Sequence, residues 1–125
     1  MKYLTPQYVI QIHVEIVEET GGLQGLRDLG LLESTVLRPQ STFGNKDLYP
    51  NLRLKAAALV HSLLLNHVFS DGNKRTATIS MIEFLIINGK EFKASNKEIV
   101  DFALWVENKK PTLEKIAGWI TKHTS

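Results

Sequence analysis

The chain predicts an all-α fold, a compact bundle of about six helices joined by short connections. Apolar residues recur at three- and four-residue spacing in several separate stretches, the period of a helix that buries one face. Glycine, proline and small polar residues fall between those stretches, where helices start and stop. No stretch shows a sustained strand alternation, and no repeat, linker or second core is visible, so residues 1–125 read as one domain.

Taken in order, Thr5 and Pro6 open the first helix: threonine suits the N-cap and proline the first helical position. Tyr8, Val9, Ile12, Ile16 and Val17 form its apolar stripe, and Thr20-Gly21-Gly22 ends it. His13 lies between stripe positions and reads as a surface or partly buried histidine rather than a catalytic one. Leu23 to Gly30 is a loop in which Arg27 and Asp28 serve structure. Leu31 to Leu37 is a short helix, closed at Arg38-Pro39-Gln40 because the residue before proline is biased out of helix. Ser41 to Leu52 is polar, aromatic and turn-rich, a surface loop by its own pattern.

Leu54 to Asn66 is the first long helix, with Ala56, Leu59, Val60, Leu63 and Leu64 as a stripe broad enough for the centre of the core. Thr76 to Asn88 is the second, apolar at Ala77, Ile79, Met81, Ile82, Phe84, Leu85 and Ile86; its Glu83 faces solvent or pairs with a lysine. Asn96 to Glu107, with Asn96 as its cap and Ile99, Val100, Phe102, Ala103 and Val106 apolar, and Leu113 to His123 complete the set. They flank a polar break at Asn108 to Thr112.

Composition narrows the function classes. Lys+Arg number 15 against Asp+Glu 13, a net charge of +2, too mild for a broad nucleic-acid-binding face. There is no cysteine, which excludes disulfides, thiolate metal sites and cysteine nucleophiles. His61 and His67 are six residues apart, roughly 120° around a helix, which disfavours a two-histidine zinc site. The start carries no apolar run with a small-residue cleavage site, and no segment has the length of a membrane span. A cytoplasmic protein without membrane contact is expected.

The chemistry concentrates at the joint between the two long helices, His67-Val68-Phe69-Ser70-Asp71-Gly72-Asn73-Lys74-Arg75. A helix start presents unpaired N–H groups and the positive end of a dipole, which attract anions. Gly72 allows a tight turn and close approach, Asn73 is a good N-cap type, and Lys74 and Arg75 add two cations. Asp71 beside that cradle suits Mg²⁺, which takes one or two carboxylates plus substrate phosphates. His67 is placed to accept a proton near neutral pH. Together they suggest nucleotide-dependent group transfer to a hydroxyl. The plain alternative is an ordinary turn with solvated cations and a structural histidine. Phe69 is expected to be buried and to pin the loop.

The joint resembles the signature of the Fic/Doc family, His-x-Phe-x-Asp/Glu-Gly-Asn-Gly-Arg-x-x-Arg. It matches at His67, Phe69, Asp71, Gly72, Asn73 and Arg75. It departs at Lys74, where the family has its second glycine, and at Thr78, where it has its final arginine. Those departures are the pattern of the Doc, or death-on-curing, branch. Gly21-Gly22-Leu23, Arg27 to Ser34, Arg38-Pro39-Gln40 and Asp47-Leu48-Tyr49-Pro50 also look Doc-like, so the likeness covers roughly Tyr8 to Phe92.

The resemblance implies an all-α fold with a flap, often a small hairpin, that holds the target beside the active site. By that likeness Phe43, Gly44, Asn45, Lys46 and Asp47 are the docking edge. It implies a toxin that moves the γ-phosphate of ATP to a threonine of elongation factor Tu and halts translation. ATP and Mg²⁺ are then required. His67 takes the acceptor proton, Asp71 holds the metal, Gly72 and Asn73 orient phosphate, and Lys74 and Arg75 neutralise charge. The expected partner is an antitoxin whose disordered C-terminal segment covers the site, because the chain shows no inhibitory helix with a Ser/Thr-x-x-x-Glu-Gly/Asn pattern. Two rivals stand beside this. One is a Fic-type enzyme that moves AMP, against which Lys74 argues; the other is a non-catalytic helical binding module, which leaves the clustered polar residues unexplained.

Overall fold

Six α-helices and one two-stranded hairpin make up the computed structural model, which describes residues 1–125. The helices are α1 (Pro6–Thr20), α2 (Leu29–Leu37), α3 (Leu52–Asn66), α4 (Asn73–Ile87), α5 (Asn96–Lys109) and α6 (Leu113–Lys122). A turn of 3₁₀ helix covers Arg38–Gln40, and the strands β1 (Thr42–Phe43) and β2 (Lys46–Asp47) pair antiparallel. No helix is long and apolar enough to cross a membrane.

Helix α3 is the axis of the core. Every side chain from Lys55 to Val60 is buried on it, and α2, α4, α5 and α6 all pack against it. Three successive alanines, Ala56 to Ala58, keep its girth small enough for neighbours on several sides. From α4 come Ala77, Met81, Phe84 and Leu85; from α5 Phe102, Ala103 and Val106; from α6 Ile116 and Ile120.

The helix ends follow local chemistry. Thr5 Oγ1 accepts from the Tyr8 N–H at 3.1 Å, and Gly21, at φ 77°, closes α1 by donating to Val17 O. Helix α2 begins two residues earlier than the periodicity suggests, because the Asp28 carboxylate accepts from Leu31 N at 3.0 Å. Asn51 does the same for α3 through Leu54 N. Ser95, not Asn96, caps α5. It forms a reciprocal box with Glu98, whose carboxyl is held below its ordinary range by the Ser95 backbone N–H and by His123.

Three expected core positions lie outside. Tyr8 is 45% exposed and donates its hydroxyl to Glu83 Oε2 at 3.2 Å, so Glu83 pairs with a phenol rather than with a lysine. Ile86 and Val100 are also exposed, because α4 and α5 each keep an unpacked face. His13, by contrast, is fully inside at 2% exposure.

Residues 41–48 form the small hairpin. Thr42 faces Asp47, Phe43 faces Lys46, and Gly44 and Asn45 make the turn. Lys55, 1% exposed, anchors its base by donating to Asp47 Oδ2 at 3.2 Å and to Pro39 O at 3.1 Å. Arg38 braces the far side: its guanidinium donates to Tyr49 OH at 2.8 Å, Ser62 Oγ at 2.6 Å and His61 Nδ1 at 3.0 Å.

An acceptor Nδ1 must be unprotonated, and burial with the Arg38 charge pushes His61 below its ordinary 6.5. A group whose folded value is depressed contributes stability above the unfolded value and loses it as pH falls. Urea midpoints are therefore expected to hold steady above pH 6.5 and to drop below it, and His61→Gln should remove that part of the drop.

Candidate functional site

The joint between α3 and α4 is a backbone turn fixed from inside. His67 ends α3 in the left-handed region, φ 46° and ψ 54°, where non-glycine residues are uncommon. Val68 and Phe69 then turn into the core, each 1% exposed. The Asn73 side chain grips Phe69 twice: its Oδ1 accepts from Phe69 N at 3.1 Å, and its Nδ2 donates to Phe69 O at 2.9 Å. The Phe69 ring stacks on His13 with centroids 3.8 Å apart and planes 8° off parallel. His13 Nε2–H donates to the Asp71 carbonyl at 2.7 Å. One buried histidine thus holds both the ring and the backbone of the turn.

A glycine-rich strap, residues 21–28, backs this turn from outside. Arg27 N donates to Val68 O at 2.7 Å, Ser70 N to Gly25 O at 3.0 Å, and Leu23 N to Asp71 Oδ2 at 2.8 Å. A Cβ at Gly22 would meet Asp71 Oδ2 at 3.3 Å, so a bare backbone is what lets the strap approach the carboxylate.

The mouth of α4 is electrostatically unsatisfied. Its N-cap is Gly72, not Asn73, and no side chain caps it. The N–H groups of Gly72, Asn73, Lys74 and Arg75 donate to no protein acceptor. The first turn holds no acidic residue; it holds Lys74 and Arg75, both exposed. Cations at the positive end of a helix dipole are unfavourable, so the arrangement suits a site that receives an anion. Gly72 sits at φ 76°, and a Cβ there would reach Val17 Cγ2 at 3.3 Å. Conformation and packing both require glycine.

The polar residues of the joint do not all face that mouth. His67 and Lys74 are half-exposed and converge on Glu107 of α5. Glu107 Oε2 stands 3.9 Å from His67 Nε2, and Oε1 stands 3.5 Å from Lys74 Nζ. Arg75 is exposed and joins no ion pair. Asp71 is exposed; its Oδ2 takes the strap's N–H and its Oδ1 engages no protein group, leaving one oxygen for a cation. No cluster of three His, Asp or Glu side chains exists, so a hard cation would need ligands from a bound phosphate as well. Both ends of the Asn73 amide are committed to Phe69, so Asn73 shapes the loop rather than facing the mouth.

The hairpin residues Phe43 to Asp47 make no hydrogen bond or ion pair with the joint. Their anchor, Lys55, lies twelve residues before His67, about 18 Å along the α3 axis at 1.5 Å per residue. Beside the joint, α4 and α5 leave a groove of about 390 Å³, charged at one end by Lys74 and Arg75 and apolar along Ile79, Ile82, Ile99 and Val100. Thr78, in its wall, turns its hydroxyl back onto Lys74 O at 3.1 Å.

Two residues of the site escape a reading of the joint alone. His13 was visible in principle: it stands four residues after Val9 and four before Val17, on the buried face. Glu107 has no local signal, because only the packing of α5 brings it to the joint.

The Fic/DOC family model matches residues 3–85. "Toxin Doc" of Mycolicibacterium smegmatis is 51% identical over 74 residues, 59% of this chain and 57% of that protein. "Protein kinase doc" of Escherichia phage P1 is 33% identical over 89 residues, 71% of this chain and 70% of that protein. The matched part thus spans little more than half the length of the mycobacterial relative.

Asn73→Ala should strip a buried peptide unit of both side-chain partners. Chemical denaturation is expected to show a loss of about 1–3 kcal/mol, and amide exchange at Phe69 should accelerate. An unchanged exchange rate there would remove Asn73 as the clamp.

Proposed function

The chain belongs to the Fic/DOC family, in its Doc branch, and from that premise we propose that it is the toxin of a toxin–antitoxin pair that phosphorylates a protein hydroxyl from ATP. The observation that carries this is the α4 mouth: four unpaired N–H groups, two cations and no acidic residue in its first turn. A triphosphate relieves the mutual repulsion of dipole and cations, and its removal restores it.

The residues divide the work as follows. The amides from Gly72 to Arg75 and the two cations hold phosphate. The free Asp71 oxygen fits a Mg²⁺ ion that a bound nucleotide brings with it, since one carboxylate alone makes no metal site here. Such an ion would neutralise charge shared between adjacent phosphates. The exposed His67 ring receives the proton of the acceptor hydroxyl as that oxygen bonds to the γ-phosphorus. The bond from that phosphorus to the β-phosphate oxygen breaks, and ADP leaves with the electron pair. Lys74 and Arg75 offset the charge spread over the phosphoryl oxygens.

The acceptor assigned from the resemblance is a threonine of elongation factor Tu, so the protein would act in the cytoplasm and arrest translation. Phe43 to Asp47 are the docking edge in this reading; Phe43, 82% exposed, is the side chain most available to a partner. The α4–α5 groove, cationic at the joint and apolar beyond it, suits an amphipathic segment with an acidic end, which fits the expected antitoxin tail. AMP transfer is the second reading, disfavoured by Lys74, whose side chain takes space that glycine leaves free beside the phosphates.

Incubation with α- or γ-labelled ATP and a translation extract separates these. Label is expected in protein only from the γ position, and His67→Ala should abolish it while thermal melting stays cooperative. A folded, fully active His67→Ala protein would exclude His67 as the base. Lys74→Gly is expected to move some transfer toward an AMP adduct, read by the mass of the modified protein.

A further inference from the structure

Glu107 occupies an unfavourable place. It lies two residues before the end of α5, where the helix dipole is negative and disfavours a carboxylate. Its side chain is 15% exposed, and Oε1 is shielded from solvent yet accepts no hydrogen bond. A shielded carboxylate with an unpartnered oxygen is costly unless positive charge stands close. The charge that does so is at the joint: Lys74 Nζ at 3.5 Å and His67 Nε2 at 3.9 Å. The carboxylate therefore reaches from a third helix to two groups supplied by the α3–α4 turn.

We propose that Glu107 is a positioning residue of the transfer site, holding the His67 imidazole and the Lys74 ammonium on one side of the α4 mouth and stabilising the imidazolium formed when His67 takes the acceptor proton. This rests on the transferase reading above and deepens it. When the acceptor O–H gives its proton to His67, the ring gains a positive charge beside an existing negative one. The ring later returns the proton to solvent. With Nε2 turned toward Glu107, Nδ1 is the nitrogen left to meet the acceptor. Glu107 is the charged group paired with His67, and its other oxygen is paired with Lys74. Glu107 also restrains a long lysine side chain, which lowers the ordering cost when phosphate arrives.

Glu107→Gln keeps the shape and removes the charge. The assay is γ-phosphate transfer at varied ATP, which separates kcat from KM, alongside circular dichroism of the folded protein. The kcat should fall about tenfold, a fraction of what a positioned base contributes. The KM for ATP should rise as well, because Lys74 is no longer held in place for the phosphates. A merely structural role would lower the active fraction, and so kcat, while leaving KM unchanged. Glu107→Asp, which retains the charge on a shorter arm, should restore part of both.

Equal kcat and KM in wild type and Glu107→Gln overturn the role of Glu107 while leaving the transferase reading intact. A Glu107→Gln protein faster than wild type also overturns it, because the carboxylate would then be a plug. No transfer by the wild-type chain overturns the reading beneath it.

Discussion

The site depends on one buried contact, the Phe69 ring against His13. That stack fixes the depth of the α3–α4 turn, and the His13 Nε2–H to Asp71 carbonyl bond fixes its orientation. Asn73 closes the turn from the other side by occupying both hydrogen-bonding groups of the Phe69 peptide. With those three residues in place the backbone has little freedom left. The amides at the α4 mouth are presented by packing rather than by anything they bind. Preorganisation of this kind is what an anion site in water needs, since donors that reorganise on binding waste much of their strength.

The charges around the turn run against helix electrostatics at two places. Two cations stand at the positive end of α4, and a carboxylate stands near the negative end of α5. Each is unfavourable for its own helix, yet the two helices bring Lys74 and Glu107 together. Local rules broken in one element and answered from another are characteristic of positions kept for chemistry rather than for stability.

Much of this was legible in the sequence. The helix count, the central place of Leu59, Val60, Leu63 and Leu64, and the inward turn of Phe69 follow from periodicity. Boundaries were less so: α2 begins two residues before the expected Leu31, because Asp28 sets that end, although Asn73 does open α4 as the joint's residue types suggest. His13 was misplaced because a polar side chain in an apolar stripe was read by its type instead of its register. Lys55, a fully buried cation on α3, finds its acceptors at Pro39 and Asp47 only through the fold. Glu107 was beyond reach, since thirty-three residues separate it from Lys74 and only tertiary packing closes that distance. Asn73 is an N-cap type by its chemistry, yet its amide braces the turn at Phe69 instead of capping α4.

Lys55 has a consequence for the hairpin. Its ammonium has two anchoring acceptors, and one of them is the Asp47 carboxylate in the second strand. Peeling that strand away from α3 would strand a positive charge in the protein interior, which is far costlier than breaking a surface pair. The hairpin is therefore moored at its foot. Freedom to move is left to the few residues around Phe43 and Gly44, within a radius set by a single buried lysine.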